Sequence, residues 1–233
     1  MNIILLETST SVCSAALASD GNVVMELHSD VANAHSQKLT LFIDQILMYA
    51  KLHGVSIDAV CVSSGPGSYT GLRIGVSSAK GLCYALNVPL LAVPTLKSIA
   101  SLYCMRNPDY SGFICPMIDA RRMECYTAVY AVNNGAISMV RPVEAEIIVG
   151  GSYDSYLEKG KVAFVGDGAP KTVDILGVHP NALFDDNFLL SAMGLAVDAC
   201  LKFRSGEFED VAYFEPFYLK DFVAKKSVVR GLR

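Results

Sequence analysis

Two short stretches carry the residue types that could do chemistry. The first is Gly65-Pro66-Gly67-Ser68-Tyr69-Thr70-Gly71, continued by Leu72-Arg73-Ile74-Gly75. It follows the apolar run Ala59-Val60-Cys61-Val62 and leads into a helix-like run ending near Leu86. A glycine-rich turn between strand and helix points backbone N–H groups outward at a helix N-terminus, which suits an anion. It is not a P-loop, because no Gly-Lys-Ser/Thr closes it and it holds no Lys. The same glycines could instead fit a tight, close-packed corner, and the pattern leaves both readings open. The second stretch is Glu7-Thr8-Ser9-Thr10, a carboxylate beside small hydroxyls. A phosphate loop needs a carboxylate near a metal and a glycine for close approach, and here Ser9 brings a Cβ instead. The expectation is a solvated hairpin turn with side-chain hydrogen bonds.

Other chemistries lack their residues. The histidines are His28, His35, His53 and His179, and no His-Glu-x-x-His puts two imidazoles on one helix face. His35 opens a helix, but Leu39 stands four residues on, so His35 and His53 are read as polar helix-end residues. Cys13, Cys61, Cys83, Cys115, Cys125 and Cys200 lie in apolar runs and Cys104 follows Leu102-Tyr103, the setting of buried structural thiols. No Gly-x-Ser-x-Gly elbow exists. No catalytic residue and no metal ligand are therefore expected in this chain.

The elements that must position these stretches alternate in type. Asn2 to Leu6, Val12 to Ala18 and Val23 to Leu27 read as strands, with a turn at Asp20-Gly21-Asn22. His35 to Leu52 has helical spacing, with Leu39, Phe42, Ile43, Ile46, Leu47 and Ala50 on one stripe, and His53-Gly54 ends it. Ile57 to Val62 is the next strand, before the glycine-rich turn and the second helix. A composition change at Arg106-Asn107-Pro108-Asp109 marks a boundary between a subdomain over 1–105 and a smaller one over 106–233, whose last helix could pack back on the first. The second part offers strands Phe113 to Ile118 and Cys125 to Val132 around the polar turn Asp119-Ala120-Arg121-Arg122. A hairpin follows at Asn133-Asn134-Gly135, then a helical segment Tyr153 to Lys159, a strand Val162 to Val165 capped by Gly166-Asp167-Gly168, and a helix Leu189 to Phe203. Two βββαβα-like halves result.

Composition narrows the class. The chain has 233 residues, 52% of them hydrophobic and 18% charged, with a mean hydropathy of +0.37. That apolar balance suggests surface used in a subunit contact. The longest uncharged stretches, Gly81 to Leu96 and Cys125 to Val140, are too short to span a bilayer, and no signal peptide is read at the N-terminus. Seven cysteines without a Cys-x-x-Cys pair fit reduced thiols in a cytosol. The net charge of −4 does not suggest a general nucleic-acid surface. The end of the chain differs: Lys220, Lys225, Lys226, Arg230 and Arg233 stand against Asp221 alone, so a basic tail could touch RNA phosphates.

The second helix raises a separate question. Gly71, Gly75, Ser78, Ala79 and Gly81 leave much of it bare. Glycine inside a helix costs about 1 kcal/mol against alanine, which close approach of another backbone can offset. Leu39, Phe42, Ile43 and Ile46 of the first helix, with Arg73, Ile74, Gly75, Ser78, Ala79 and Leu82 of the second, could form a helix-to-helix subunit contact. The other reading is that both helices only cover their own sheet.

The residues together resemble the bacterial TsaB (YeaZ) family. The resemblance rests on Gly65 to Gly75, the Thr8-Ser9-Thr10 opening, His35-Ser36, Pro94-Thr95-Leu96, Asp119-Ala120-Arg121-Arg122-Met123-Glu124, Tyr218-Leu219-Lys220 and Val223-Ala224-Lys225-Lys226, in order over nearly the whole length. It implies an α/β fold of two subdomains of the actin/Hsp70/sugar-kinase type, RNase H-like, with mixed sheets and flanking helices. It implies a cytoplasmic, non-catalytic subunit for N6-threonylcarbamoyladenosine formation on tRNAs that read codons starting with A. The implied partners are TsaD and TsaE, with a homodimer when alone, tRNA met indirectly and no membrane contact. ATP and metal would belong to TsaD and TsaE, and none to this chain. The catalytic relative has a His-x-x-x-His pair at a helix start; this chain has His35 and Leu39. Glu7 stands where the family has aspartate. A small phosphotransferase of the same superfamily is the alternative, and a metallopeptidase ranks last. On this reading Gly75→Arg would abolish pairing with TsaD and leave the fold intact.

Overall fold

The computed structural model describes residues 1–31 and 35–220. The first half runs β1 (Asn2–Glu7), β2 (Cys13–Ser19), β3 (Asn22–Ser29), α1 (His35–Leu52), β4 (Ala59–Ser63), α2 (Tyr69–Leu86), β5 (Leu90–Val93) and α3 (Thr95–Arg106). The second runs β6 (Gly112–Asp119), β7 (Glu124–Asn133), β8 (Ala136–Ile147), α4 (Asp154–Leu157), β9 (Val162–Val165), α5 (Val173–Leu176), β10 (Ala182–Phe184) and α6 (Ala196–Ser205). Each half builds one mixed five-stranded sheet, in the orders β3-β2-β1-β4-β5 and β10-β9-β6-β7-β8. In both, three antiparallel strands are followed by two joined in parallel.

The layering follows from which face each side chain takes. Alternate residues of β1 point to opposite sides. Ile4 and Leu6 pack with Leu39, Ile43 and Ile46 of α1 and Val76 and Ala79 of α2. Ile3 and Leu5 pack on the other face with Leu195, Ala196 and Ala199. The second sheet carries Leu96, Ile99 and Leu102 of α3 on one face, and on the other Tyr153, just ahead of α4, with Leu157 of α4 and Leu176 of α5. The middle layer is thus exchanged: α3 follows the first sheet but packs on the second, and α6 does the reverse. Ser101 on α3 donates to Asp198 on α6 at 2.7 Å, which ties the two together. The boundary read at residues 105 and 106 separates the sheets but not these helices.

Four of these elements were not expected from the sequence: β5, α3, α5 and β10. The helix α3 is buried from Thr95 through Tyr103 on nearly every side except Lys97, so it has no polar face and no amphipathic signal. The short strand β5 sits in the uncharged run that also holds Pro89 and Pro94. The last helix starts later than expected: the chain enters α6 through a 3-10 turn at Ala192–Leu195. The segment read as helical over Tyr153 to Lys159 holds only the single turn α4.

Candidate functional site

Where β1 ends, the turn Glu7 to Thr10 is buried, not solvated; Glu7 and Thr8 are 0% exposed and Ser9 1%. The expectation of a solvated turn is overturned because the glycine-rich segment folds over it. Ser68 donates its N–H to the Ser9 carbonyl at 2.7 Å, and Thr8 donates its hydroxyl to the Gly71 carbonyl at 2.8 Å. A Cβ on Gly67 would lie 2.5 Å from the Ser9 carbonyl oxygen, one on Gly71 2.0 Å from that of Thr8, and one on Gly75 2.3 Å from the Thr8 hydroxyl. Gly71 and Gly75, four apart, lie on one face of α2, and that face, with Gly67 just ahead of it, is pressed onto the turn. Gly65, at φ +108, likewise meets the Phe217 carbonyl. Of the two readings of the glycines, close packing is the one that holds. Ser68 also caps α2, accepting from the Gly71 N–H at 3.3 Å. The contact between the two turns is made by backbone on both sides.

The Glu7 carboxyl lies beneath this seat. Its Oε1 accepts from the Ser9 N–H at 2.7 Å, the Ser9 hydroxyl at 2.6 Å and the Ser63 hydroxyl at 2.8 Å. Burial pushes its pKa up, against the lowering by the Ser9 and Ser63 hydrogen bonds. At the start of α1, His35 meets the Thr10 carbonyl through Nε2 at 2.9 Å. Among the described residues no group of three His, Cys, Asp or Glu could hold a metal ion.

The set of residues expected to face a partner divides in two. Leu39, Ile43, Ile46, Gly75 and Ala79 are buried inside the protein's own core, so they cannot meet another chain. Their positions on the inner helix faces, against β1 and β4, are the reason. Gly75→Arg would drive a side chain into Thr8 and damage the fold, so it cannot serve as a clean interface variant. Phe42, Ile74, Ser78 and Leu82 are half-buried at the α1–α2 margin, and Arg73 is exposed. The outward face of α2 consists instead of Arg73, Ser77, Gly81, Tyr84 and Ala85, and that of α1 includes Leu41, Met48 and Leu52. Tyr84 is 88% exposed. A Cβ on Gly81 would meet nothing within 4 Å. The spacing Ser77, Gly81, Ala85 was available in the sequence, but separating it from the inward Gly71, Gly75, Ala79 row required knowing where the sheet lies.

A strap over residues 207–218 flanks α2. Glu209 bridges to Leu90 at the sheet edge, Lys80 donates to the Ala212 carbonyl at 3.0 Å, and Phe217 donates to the Ser64 carbonyl at 2.7 Å. Tyr218 lies on Tyr69 with ring centroids 5.0 Å apart, and the Arg73 guanidinium sits 5.4 Å over Tyr69. An open groove of about 410 Å³ runs between strap and helix, lined by Tyr69, Arg73, Ser77, Lys80, Glu215 and Tyr218 among others. Nothing in the local sequence pattern announced this strap.

In the second half the corresponding hairpin turn is open and charged. Arg121 and Arg122 adopt left-handed backbone, φ 73° and 53°, and both are exposed. Lys171 pairs with Asp119 and donates to the Glu124 carbonyl. Lys220 pairs with the Glu124 carboxylate, so this member of the basic tail is turned to the protein itself. Lys225, Lys226 and Arg230 lie outside the described residues.

The chain is similar to known proteins over most of its length. The family model described as "TsaD: tRNA N6-adenosine threonylcarbamoyltransferase" matches residues 26–231. The tRNA threonylcarbamoyladenosine biosynthesis protein TsaB of Escherichia coli is 30% identical over 98% of both chains. The protein of that name from Bacillus subtilis is 32% identical over 61% of this chain and 60% of its own length. Among solved structures, YeaZ from Pseudomonas aeruginosa superposes with a TM-score of 0.78 at 26% identity, covering 94% of this chain and 99% of that one.

Proposed function

The chain belongs to the TsaB (YeaZ) family of tRNA threonylcarbamoyladenosine biosynthesis proteins, and on that premise we propose that it is a non-catalytic subunit that docks TsaD through the outward faces of α1 and α2. The observation that carries this reading is Gly81. It sits in the interior of an 18-residue helix, exposed, with nothing within 4 Å of a would-be Cβ. A glycine there costs about 1 kcal/mol against alanine, and no contact among the described residues repays it. With Ser77 and Ala85 one turn to either side, it leaves a shallow strip on which another helix can approach closely. Leu41, Met48, Leu52 and Tyr84 supply apolar surface beside it.

The catalytic chemistry then resides in the partner. ATP and metal belong to TsaD and to a third subunit, TsaE, and tRNA is met through them. In the absence of TsaD, the same face pairs two copies of this chain. A phosphotransferase role for the chain itself would need room at Ser9, against which Gly67 already packs.

The test is Gly81→Arg, with Gly150→Arg in the second half as control, since that exposed position also has open space. The Gly81 variant is expected to melt at or above the wild-type temperature. It is expected to lose co-purification with TsaD and to give no more threonylcarbamoyladenosine than a reconstituted mixture lacking this chain, while the control behaves as wild type. Retained pairing and yield would put the docking face elsewhere.

A further inference from the structure

The carboxyl of Glu7 is unevenly served. Its Oε1 takes all three donors, from Ser9 twice and from Ser63. Its Oε2 is buried with no hydrogen-bond partner among the described residues. An ionised carboxylate carries charge on both oxygens, and a bare charged oxygen in a dry interior is costly. A protonated acid keeps its proton on one oxygen, and Oε1 is already taken as an acceptor. The proton therefore fits Oε2.

The surroundings agree with a neutral group. No Lys, Arg or His forms an ion pair with Glu7 among the described residues. Among the described residues, the ionisable groups on β2 and β4 that interact electrostatically with it are the thiols of Cys13 and Cys61. Burial pushes Cys13 up to about 11 and Cys61 higher, so both are uncharged near neutrality. On the outer side of the turn, His35 engages the Thr10 carbonyl rather than the carboxyl.

We propose that Glu7 is a neutral acid at physiological pH, and that in this form it is the positioning residue for the turn on which α2 is seated. Glu7 fixes Ser9 through its backbone and its hydroxyl. Ser9 in turn accepts the Ser68 N–H, and its neighbour Thr8 donates to Gly71, so the first turn of α2 hangs on this carboxyl. Ionisation would leave charge on Oε2 without a donor. The turn would have to shift or admit water, and the start of α2 would follow. The inference stands whether or not α2 meets TsaD.

The sign of the pH dependence follows. The folded state holds the Glu7 proton to higher pH than the unfolded chain, whose ordinary value is 4.5. The stabilisation is full below that value and is lost as pH rises through the folded pKa. Glu7→Gln keeps the size and an uncharged head without the titration, and Glu7→Ala strands three donors. The thermal midpoint of the wild type is expected to fall relative to Glu7→Gln by about 3 °C or more between pH 5 and about pH 8.5. Glu7→Ala is expected to lie below both at every pH. The infrared difference spectrum of wild type minus Glu7→Gln at neutral pH is expected to contain the carbonyl stretch of a protonated carboxyl. A difference spectrum showing only an ionised carboxylate, or a Glu7→Gln midpoint below wild type at the alkaline end, would overturn the proposal.

Discussion

The two halves of the molecule follow one plan and put it to different use. In each, a central strand pairs antiparallel with the second strand and parallel with the fourth. In each, a glycine-bearing turn after the fourth strand presses back on the end of the first. Gly67 and Gly71 meet Ser9 and Thr8; Gly166 and Gly168 meet Met117 and Ile118, with a Cβ on Gly166 only 2.3 Å from the Met117 carbonyl. The helices then diverge. α1 and α2 have 18 residues each and offer a broad outer face, whereas α4 and α5 have four each. The hairpin turns diverge the other way, buried in the first half and open and charged in the second. The shared frame fixes how strand ends are packed, and the distinguishing surface is added on top of it.

The comparison breaks most visibly if the shared seat is removed. Gly71→Val and Gly166→Val should each destabilise by about 3 kcal/mol, measured by urea unfolding, because each inserts a side chain against a backbone carbonyl that cannot retreat. A loss in one half only would show that the packing of the turns is not equivalent. The divergent part is addressed by Gly81→Arg, expected to weaken TsaD binding at least about tenfold while raising stability by up to about 1 kcal/mol. Titration calorimetry and thermal melts read the two effects separately. A smaller effect distinguishes the second core. Tyr153, fully buried, donates to Glu146 at 2.9 Å, and Tyr153→Phe should cost about 1 kcal/mol in the same unfolding assay. The smallest is Lys220→Ala. Its pairing with Glu124 is a partly exposed contact, and its loss should change stability by less than about 0.5 kcal/mol.

Much of the first half was legible because its patterns are one-sided. The stripe of α1 from Leu39 to Ala50 faces one sheet, and its bounds His35 to Leu52 agree with the expectation. The hairpin at Asp20-Gly21 has both residues left-handed, φ 49° and 84°, as the turn chemistry demands. α3 was missed because a helix enclosed by the second sheet and the 3-10 turn Ala192–Leu195 keeps no polar side. The candidate site was half legible. Gly71, Gly75, Ser78, Ala79 and Gly81 could be seen to leave the second helix bare, but which neighbour each of them meets is a tertiary fact. The same limit assigned Leu39, Ile43, Ile46, Gly75 and Ala79 to a partner when they belong to the interior. An apolar stripe is the same sequence signal whether a sheet or a second protein covers it. The strap over residues 207–218 left no periodic signal, since it is held by the backbone at Leu90 and Ser64 and by the Lys80 ammonium on the Ala212 carbonyl.

The exchange of α3 and α6 between the sheets bears on how the polypeptide is made. A ribosome delivers β1 to β5 early, but the inner face of their sheet finds its cover only in Ala192–Leu195 and Ala196–Ser205. Until those residues emerge, Ile3, Leu5 and Leu91 have no lid. The first sheet must wait, half-dressed, until residues 192–205 emerge, and that face closes only when they pack on it.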